Sequence, residues 1–156
     1  MLKVIGGAQE GEFKAVASGT LPNGKPVVVN ADGTVSVVES VAQAIGSPVV
    51  FQSANAILSS ATFDSSNNKV VIAYRDGVTN YGTAIVGTVS GTSISFGSPV
   101  VFEAAVTSYI SATFDSSNNK VVVAYEDGGN SNYGTAIVGT VSGTSISFGS
   151  AAVFYS

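Results

Sequence analysis

No cysteine, histidine or tryptophan occurs in the chain. Their absence excludes disulfides, thiolate and imidazole metal sites, and histidine acid/base chemistry, and most hydrolase mechanisms go with them. Basic residues are scarce too: six Lys and Arg stand against ten Asp and Glu, a formal charge of −4. A surface that poor in positive charge cannot offset phosphate repulsion, so nucleic acid is not an expected partner. No apolar run approaches membrane-spanning length, and Met1 to Gly7 lacks the apolar core of a secretory signal. The expectation is therefore no membrane insertion and synthesis in a cytoplasm. What remains is a chain of 156 residues that is 45% hydrophobic and only 10% charged. That composition has to be packed or held in turns.

The dominant feature is an internal repeat. Gly46 to Phe96 reappears as Gly97 to Phe148, displaced by 51 residues at first and by 52 after one insertion. Ala61 to Val71 is identical to Ala112 to Val122, and Asn80 to Ser98 is identical to Asn132 to Ser150. A third, partial copy covers Gly149 to Phe154.

Within each copy, alternating segments are separated by turn chemistry, which predicts short antiparallel strands and no helix. In the first copy the expected strands are Leu58 to Asp64, Lys69 to Arg75, Gly82 to Val89 and Ser93 to Gly97. Ser65-Ser66-Asn67-Asn68 supplies a hairpin turn, Asp76-Gly77 ends the second strand, and Ser98-Pro99 interrupts the ladder because proline has no amide hydrogen. Four strands in about 50 residues is the size of a β-propeller blade. The expected fold is thus all-β: two four-stranded antiparallel repeat units over 46–156, resembling propeller blades and completed by oligomerisation, with a homotrimer giving six blades. A sandwich and an interchain prism remain alternatives.

Residues 1–45 lie outside the repeat. Lys25 to Asn30, an Asp32-Gly33 turn and Thr34 to Glu39 predict a β-hairpin. It is either an anchoring module or a simple addition to the first repeat.

The strings ATFDSSNNK and NYGTAIVGTVSGTSISF, together with Ala17 to Val38, resemble segments of repeat-containing structural proteins of marine (cyanophage-like) bacteriophage particles. The resemblance implies a virion component, either a head decoration or knob or a tail or fibre protein, assembled in the host cytoplasm. Residues 1–45 would then contact other virion proteins. A carbohydrate-binding, receptor-recognition module acting on host surface glycans is the alternative.

No enzyme is expected. Asp64, Asp76, Glu103, Asp115, Glu126 and Asp127 stand at or beside predicted turns, and no one-off carboxylate pair of the kind a glycosidase needs stands out from the repeated ones. Asp127 to Asn132 lacks the spacing and closing glutamate of a calcium loop, so no metal is expected, and no cofactor either. Tyr74 and Tyr125 read most simply as packing between repeats. The copies differ chiefly in 52–59 against 103–110 and in 78–79 against 129–131. In a four-stranded meander these segments fall at one end. The expected ligand- or partner-facing residues are therefore Gln52, Asp76, Asn80, Tyr81, Glu103, Tyr109, Asp127, Asn130, Asn132 and Tyr133.

Overall fold

The computed structural model describes residues 15–38 and 44–156. The chain divides into two compact units, Met1–Gln43 and Ala44–Ser156. All regular structure among the described residues is strand and turn; no helix is present, and none is long and apolar enough to cross a membrane.

In the first unit, β1 (Val27–Val29) and β2 (Val35–Val37) form an antiparallel hairpin. The Asp32 carboxylate builds the turn by accepting from the Thr34 amide at 2.9 Å and the Thr34 hydroxyl at 2.7 Å. These two donors, the hydroxyl first, hold its pKa below the usual carboxylate range. The strands are shorter than expected because Pro26 cannot donate to a ladder and Asn30 opens the turn, its backbone N donating to the Thr34 carbonyl and its side-chain Nδ2 to Thr34 Oγ1. The expected extension to Glu39 runs beyond the described residues. Val35 is buried and bonded to Val16 and Ser18, whereas Val28, Val29 and Val38 are exposed.

The second unit contains β3 (Ala56–Asp64), β4 (Lys69–Asp76), β5 (Tyr81–Ser90), β6 (Ser93–Phe96), β7 (Val100–Asp115), β8 (Lys120–Asp127), β9 (Tyr133–Ser142), β10 (Ser145–Phe148) and β11 (Ala152–Tyr155). All pairings are antiparallel. One leaf is the meander β3-β4-β5, with β6 and the start of β7 sharing the far edge of β5. The other is the end of β7 with β8 and β9, and here β10 and β11 share the far edge of β9.

The hairpin turns follow from the repeated Asp-Ser-Ser-Asn-Asn-Lys string. Asp64 Oδ1 accepts from the Ser66 and Asn67 amides, and Asn68 takes a positive φ of 54° that asparagine tolerates better than most residues. Asp115 and Asn119 repeat the arrangement.

The fourth strand ends at Phe96 and the ladder is interrupted across 97–99, as Ser98-Pro99 predicts. The length of the strand that follows is what the sequence does not predict. Val100–Asp115 is a single strand of 16 residues that serves both leaves, pairing with β5 through Val100 to Val106 and with β8 from Thr107 onward. Register shifts near Phe102 and between Ser108 and Ser111 let one strand change partners, since a bulge bends the strand and increases its twist.

The two leaves close on a shared core. Val71, Ala73, Ala84 and Val86 of the first leaf pack with Val121, Val123, Tyr125, Ile137, Val141 and Ile146 of the second, with Phe102 among them. Alternation explains the selection: on β4 the odd-numbered residues enter this seam, while on β8 the residues matching the even-numbered set of β4 do so. Opposite faces of the same repeat therefore meet. Polar contacts border the seam, with Ala112 N donating to Ser60 Oγ at 3.0 Å and Arg75 Nη1 to the Thr107 carbonyl at 3.4 Å.

Candidate functional site: the open face of the second leaf

Phe102 is the bulged residue of β7. Its neighbours Val101 and Glu103 pair with Thr83 and Gly82, and its ring drops onto Gly82, where a Cβ would collide with it. On its other side it meets Tyr125 at 5.2 Å and Phe148 at 5.6 Å between ring centroids. One side chain is thereby gripped by both leaves and is only 8% exposed.

The third, partial copy repeats half of this. Val153 pairs with Thr135 and Tyr155 with Gly134, the register of Val101 and Glu103, and Phe154 is the bulged residue between them. Its ring lies over Gly134, but it lacks a second side and is 65% exposed. The first copy supplies the complementary half: Phe51 packs edge-on against Tyr74 at 5.3 Å and against Phe96 at 5.8 Å, while residues 44–55 belong to no strand.

The second leaf consequently presents, uncovered, the face that the first leaf buries in the seam. It holds an open cleft of about 270 Å³ lined by Tyr109, Ala124, Tyr125, Glu126, Asn132, Gly134, Phe154 and Tyr155. Tyr109 reaches it from the bulge in β7, at a φ of 51° unusual for a bulky residue, and is 78% exposed. Leu58 holds the same strained position in the first copy, at 53°. The lining differs from the matching seam residues at three places: Tyr109 stands for Leu58, Glu126 for Arg75 and Tyr155 for Glu103.

Of the ten residues expected to face a ligand or partner, only Tyr109 and Asn132 line this cleft. Of the others, Asp76, Asn80, Tyr81, Asp127, Asn130 and Tyr133 lie in or at the edges of the connections after β4 and β8, Gln52 is bonded to the first of these, and Glu103 lies within β7. Gln52 donates to Asp76, whose carboxylate also accepts from the Thr79 and Val78 amides; these backbone donors hold its pKa low. The Asn80 carbonyl accepts from Thr107 N at 3.2 Å, and Tyr81 pairs with Val106. Glu103 accepts from the Tyr125 hydroxyl at 3.2 Å. Burial first, then the Glu103 charge and this hydrogen bond, push the Tyr125 phenol far above its ordinary range. Burial, followed by the nearby Asp76 charge, raises Tyr74 in the same sense, and its hydroxyl has no hydrogen-bond partner among the described residues.

Asp127, Asn130 and Asn132 are engaged in one turn: Asp127 accepts from Gly129, Asn130 and Asn132, and Tyr133 N donates to Asn130 O. No group of three or more acidic side chains able to hold a metal ion occurs among the described residues.

Sequence reasoning missed Glu126, Phe154 and Tyr155 as cleft residues. The signal was available: alignment of the third copy sets Tyr155 against Glu103, and Arg75/Glu126 is the one charge difference inside otherwise matching strands.

No family model, curated protein or solved structure matches the chain.

Proposed function

We propose that the chain is a non-catalytic structural protein of a bacteriophage particle, in which two propeller-like blades of each copy join those of others into a closed array. The observation that carries the assembly reading is the uncovered face of the second leaf. It is the same repeat face that the first leaf buries in a packed core, and it ends on the half-gripped Phe154. Apolar surface of this kind is stabilised by about 25 cal/mol for each Å² removed from water, and a head-to-tail contact can close into a ring. Three copies would make six blades, within the usual range of about 4–8. The virion assignment is supported by the resemblance of the repeat strings and of Ala17 to Val38 to marine phage structural proteins. Mass spectrometry of purified particles tests it: peptides of this chain are expected at a stoichiometry comparable to other surface proteins, and their absence would refute a virion role.

A second reading, carbohydrate recognition, is favoured by one specific observation. Where the seam has Leu58, Arg75 and Glu103, the cleft carries two exposed tyrosines and a carboxylate, beside Asn132 and Phe154. Aromatic faces stack on sugar rings, and carboxylate and amide groups bond their hydroxyls. With no tryptophan and six tyrosines, intrinsic tyrosine fluorescence reports on this face. A saturable change on titration with a neutral hexose panel, lost in Tyr109→Ala, is the expected result for this reading. No change up to roughly 100 mM sugar, where even millimolar affinities saturate, would remove it.

A further inference from the structure

The seam between the leaves has a strand-level rule. The entry segment of a copy, Gly97 to Glu103, packs on its own copy through Phe102 while pairing with the edge of the preceding copy's third long strand. The first copy has the same entry segment, Gly46 to Gln52, already packed on its own leaf: Phe51 touches Tyr74 and Phe96, and Gly46 lies so close to the Thr92 carbonyl that a Cβ would clash. Its backbone has no ladder, and Val50 is 76% exposed. The edge it would pair with by the seam's rule is that of β9, and β11 occupies that edge.

The geometry points to β11 as an exchangeable strand: on assembly, the entry segment Gly46 to Gln52 of a second copy replaces it on β9 and seats that copy's first leaf on the open face. This rests on the assembly reading above and names its seam. By the register of Val100 opposite Ala84 and Ala152 opposite Ala136, Val49 of the incoming copy would lie opposite Ala136, and its Phe51 would sit over Gly134.

Several features make β11 the weaker occupant. All four of its residues are exposed. Its Ala151-Ala152 stands where the other copies have Pro-Val, so it buries less side chain and is less stiff than the competitor. The Phe154 ring lies over Gly134 and stays 65% exposed, whereas an incoming Phe51 brings Tyr74 and Phe96 with it. The exchange swaps one set of backbone hydrogen bonds for an equal set, so side-chain burial decides its direction.

The absence of cysteine permits a direct test. The double variant Ala136→Cys/Ala152→Cys places thiols on directly paired residues, within the reach of a disulfide between antiparallel strands. Oxidation locks β11 in place. The expected result is loss of association when oxidised, by light scattering, and full recovery on reduction. In parallel, Val49→Cys/Ala136→Cys should give interchain disulfides under mild oxidation. Undiminished association of the locked chain, or no interchain disulfide in an associating Val49→Cys/Ala136→Cys protein, overturns the exchange and leaves assembly standing. A reduced chain that stays monomeric at every concentration overturns both.

Discussion

Asp64 is the most densely bonded carboxylate of the repeat: it accepts from the amides of Ser66 and Asn67, the Ser66 hydroxyl and the Asn67 side chain, and it is almost fully buried. Burial opposes its charge, but these four donors outweigh that, and its pKa lies below the ordinary 3.8. Asp64→Ala is expected to cost about 1.5–3 kcal/mol in urea unfolding, as loss of charge-assisted hydrogen bonds does, and more than Asp115→Ala at its half-buried counterpart. Asp76 and Asp115 are held low in the same way, by backbone donors first at Asp76 and by the Asn118 side chain first at Asp115. Lowered carboxylate values mean that the unfolded chain binds protons more readily. Their contribution is complete above the unfolded value and disappears as pH falls through the folded ones. For Tyr74 and Tyr125 the sign reverses: raised values stabilise the fold below the unfolded phenol pKa and stop doing so above about pH 10. The urea midpoint should therefore be flat from about pH 5 to 9 and fall on both sides; a midpoint that rises on acidification would contradict these assignments. At the cleft, Glu126→Arg restores the residue found at the matching seam position. It is expected to tighten self-association and to abolish any sugar response, so the single variant separates the two readings.

The bulged phenylalanines set the behaviour of whole elements. Phe102 joins β7 to both leaves, and Phe102→Ala should cost about 3–5 kcal/mol, the range for a large buried ring. Phe154→Ala should stay within about 0.5 kcal/mol in the monomer, because its ring is exposed. Gly82→Ala and Gly134→Ala form a second matched pair. At Gly82 a Cβ meets a ring that cannot leave the core, with Thr107 Oγ1 at 2.9 Å behind it; at Gly134 the ring at 2.8 Å belongs to β11 and can swing outward. Equal losses of thermal midpoint in the two variants would contradict this distinction. The strands and turns themselves were legible in the sequence, because Asp64 to Lys69 and Asp115 to Lys120 carry their own turn chemistry and the long strands alternate. The continuity of β7 was not. Ser98-Pro99 does stop the ladder, but just before β7 begins, and period-two alternation does not tell which partner a strand pairs with, so a change of partner halfway along leaves no trace. The positive φ at Leu58 and Tyr109 was equally hidden, since bulky residues do not announce a bulge.

At the scale of the molecule, the repeat determines more than the fold. The ligand-facing end was inferred from where the copies differ, but 103–110 lies inside β7, and the carboxylates of Asp76 and Asp127 are consumed by turns. The larger open feature is a face, not a loop, and it follows from opposite sides of one repeat being complementary. Two copies of such a unit satisfy one seam and leave another half-made on each side. The proposed assembly therefore rests on a seam already visible within residues 44–156 of one chain. The most direct test is the solution mass of the 156-residue protein by light scattering across a concentration series. The account predicts a closed oligomer, with a trimer of roughly three times 15.6 kDa favoured; a monomer that persists into the high micromolar range would contradict it.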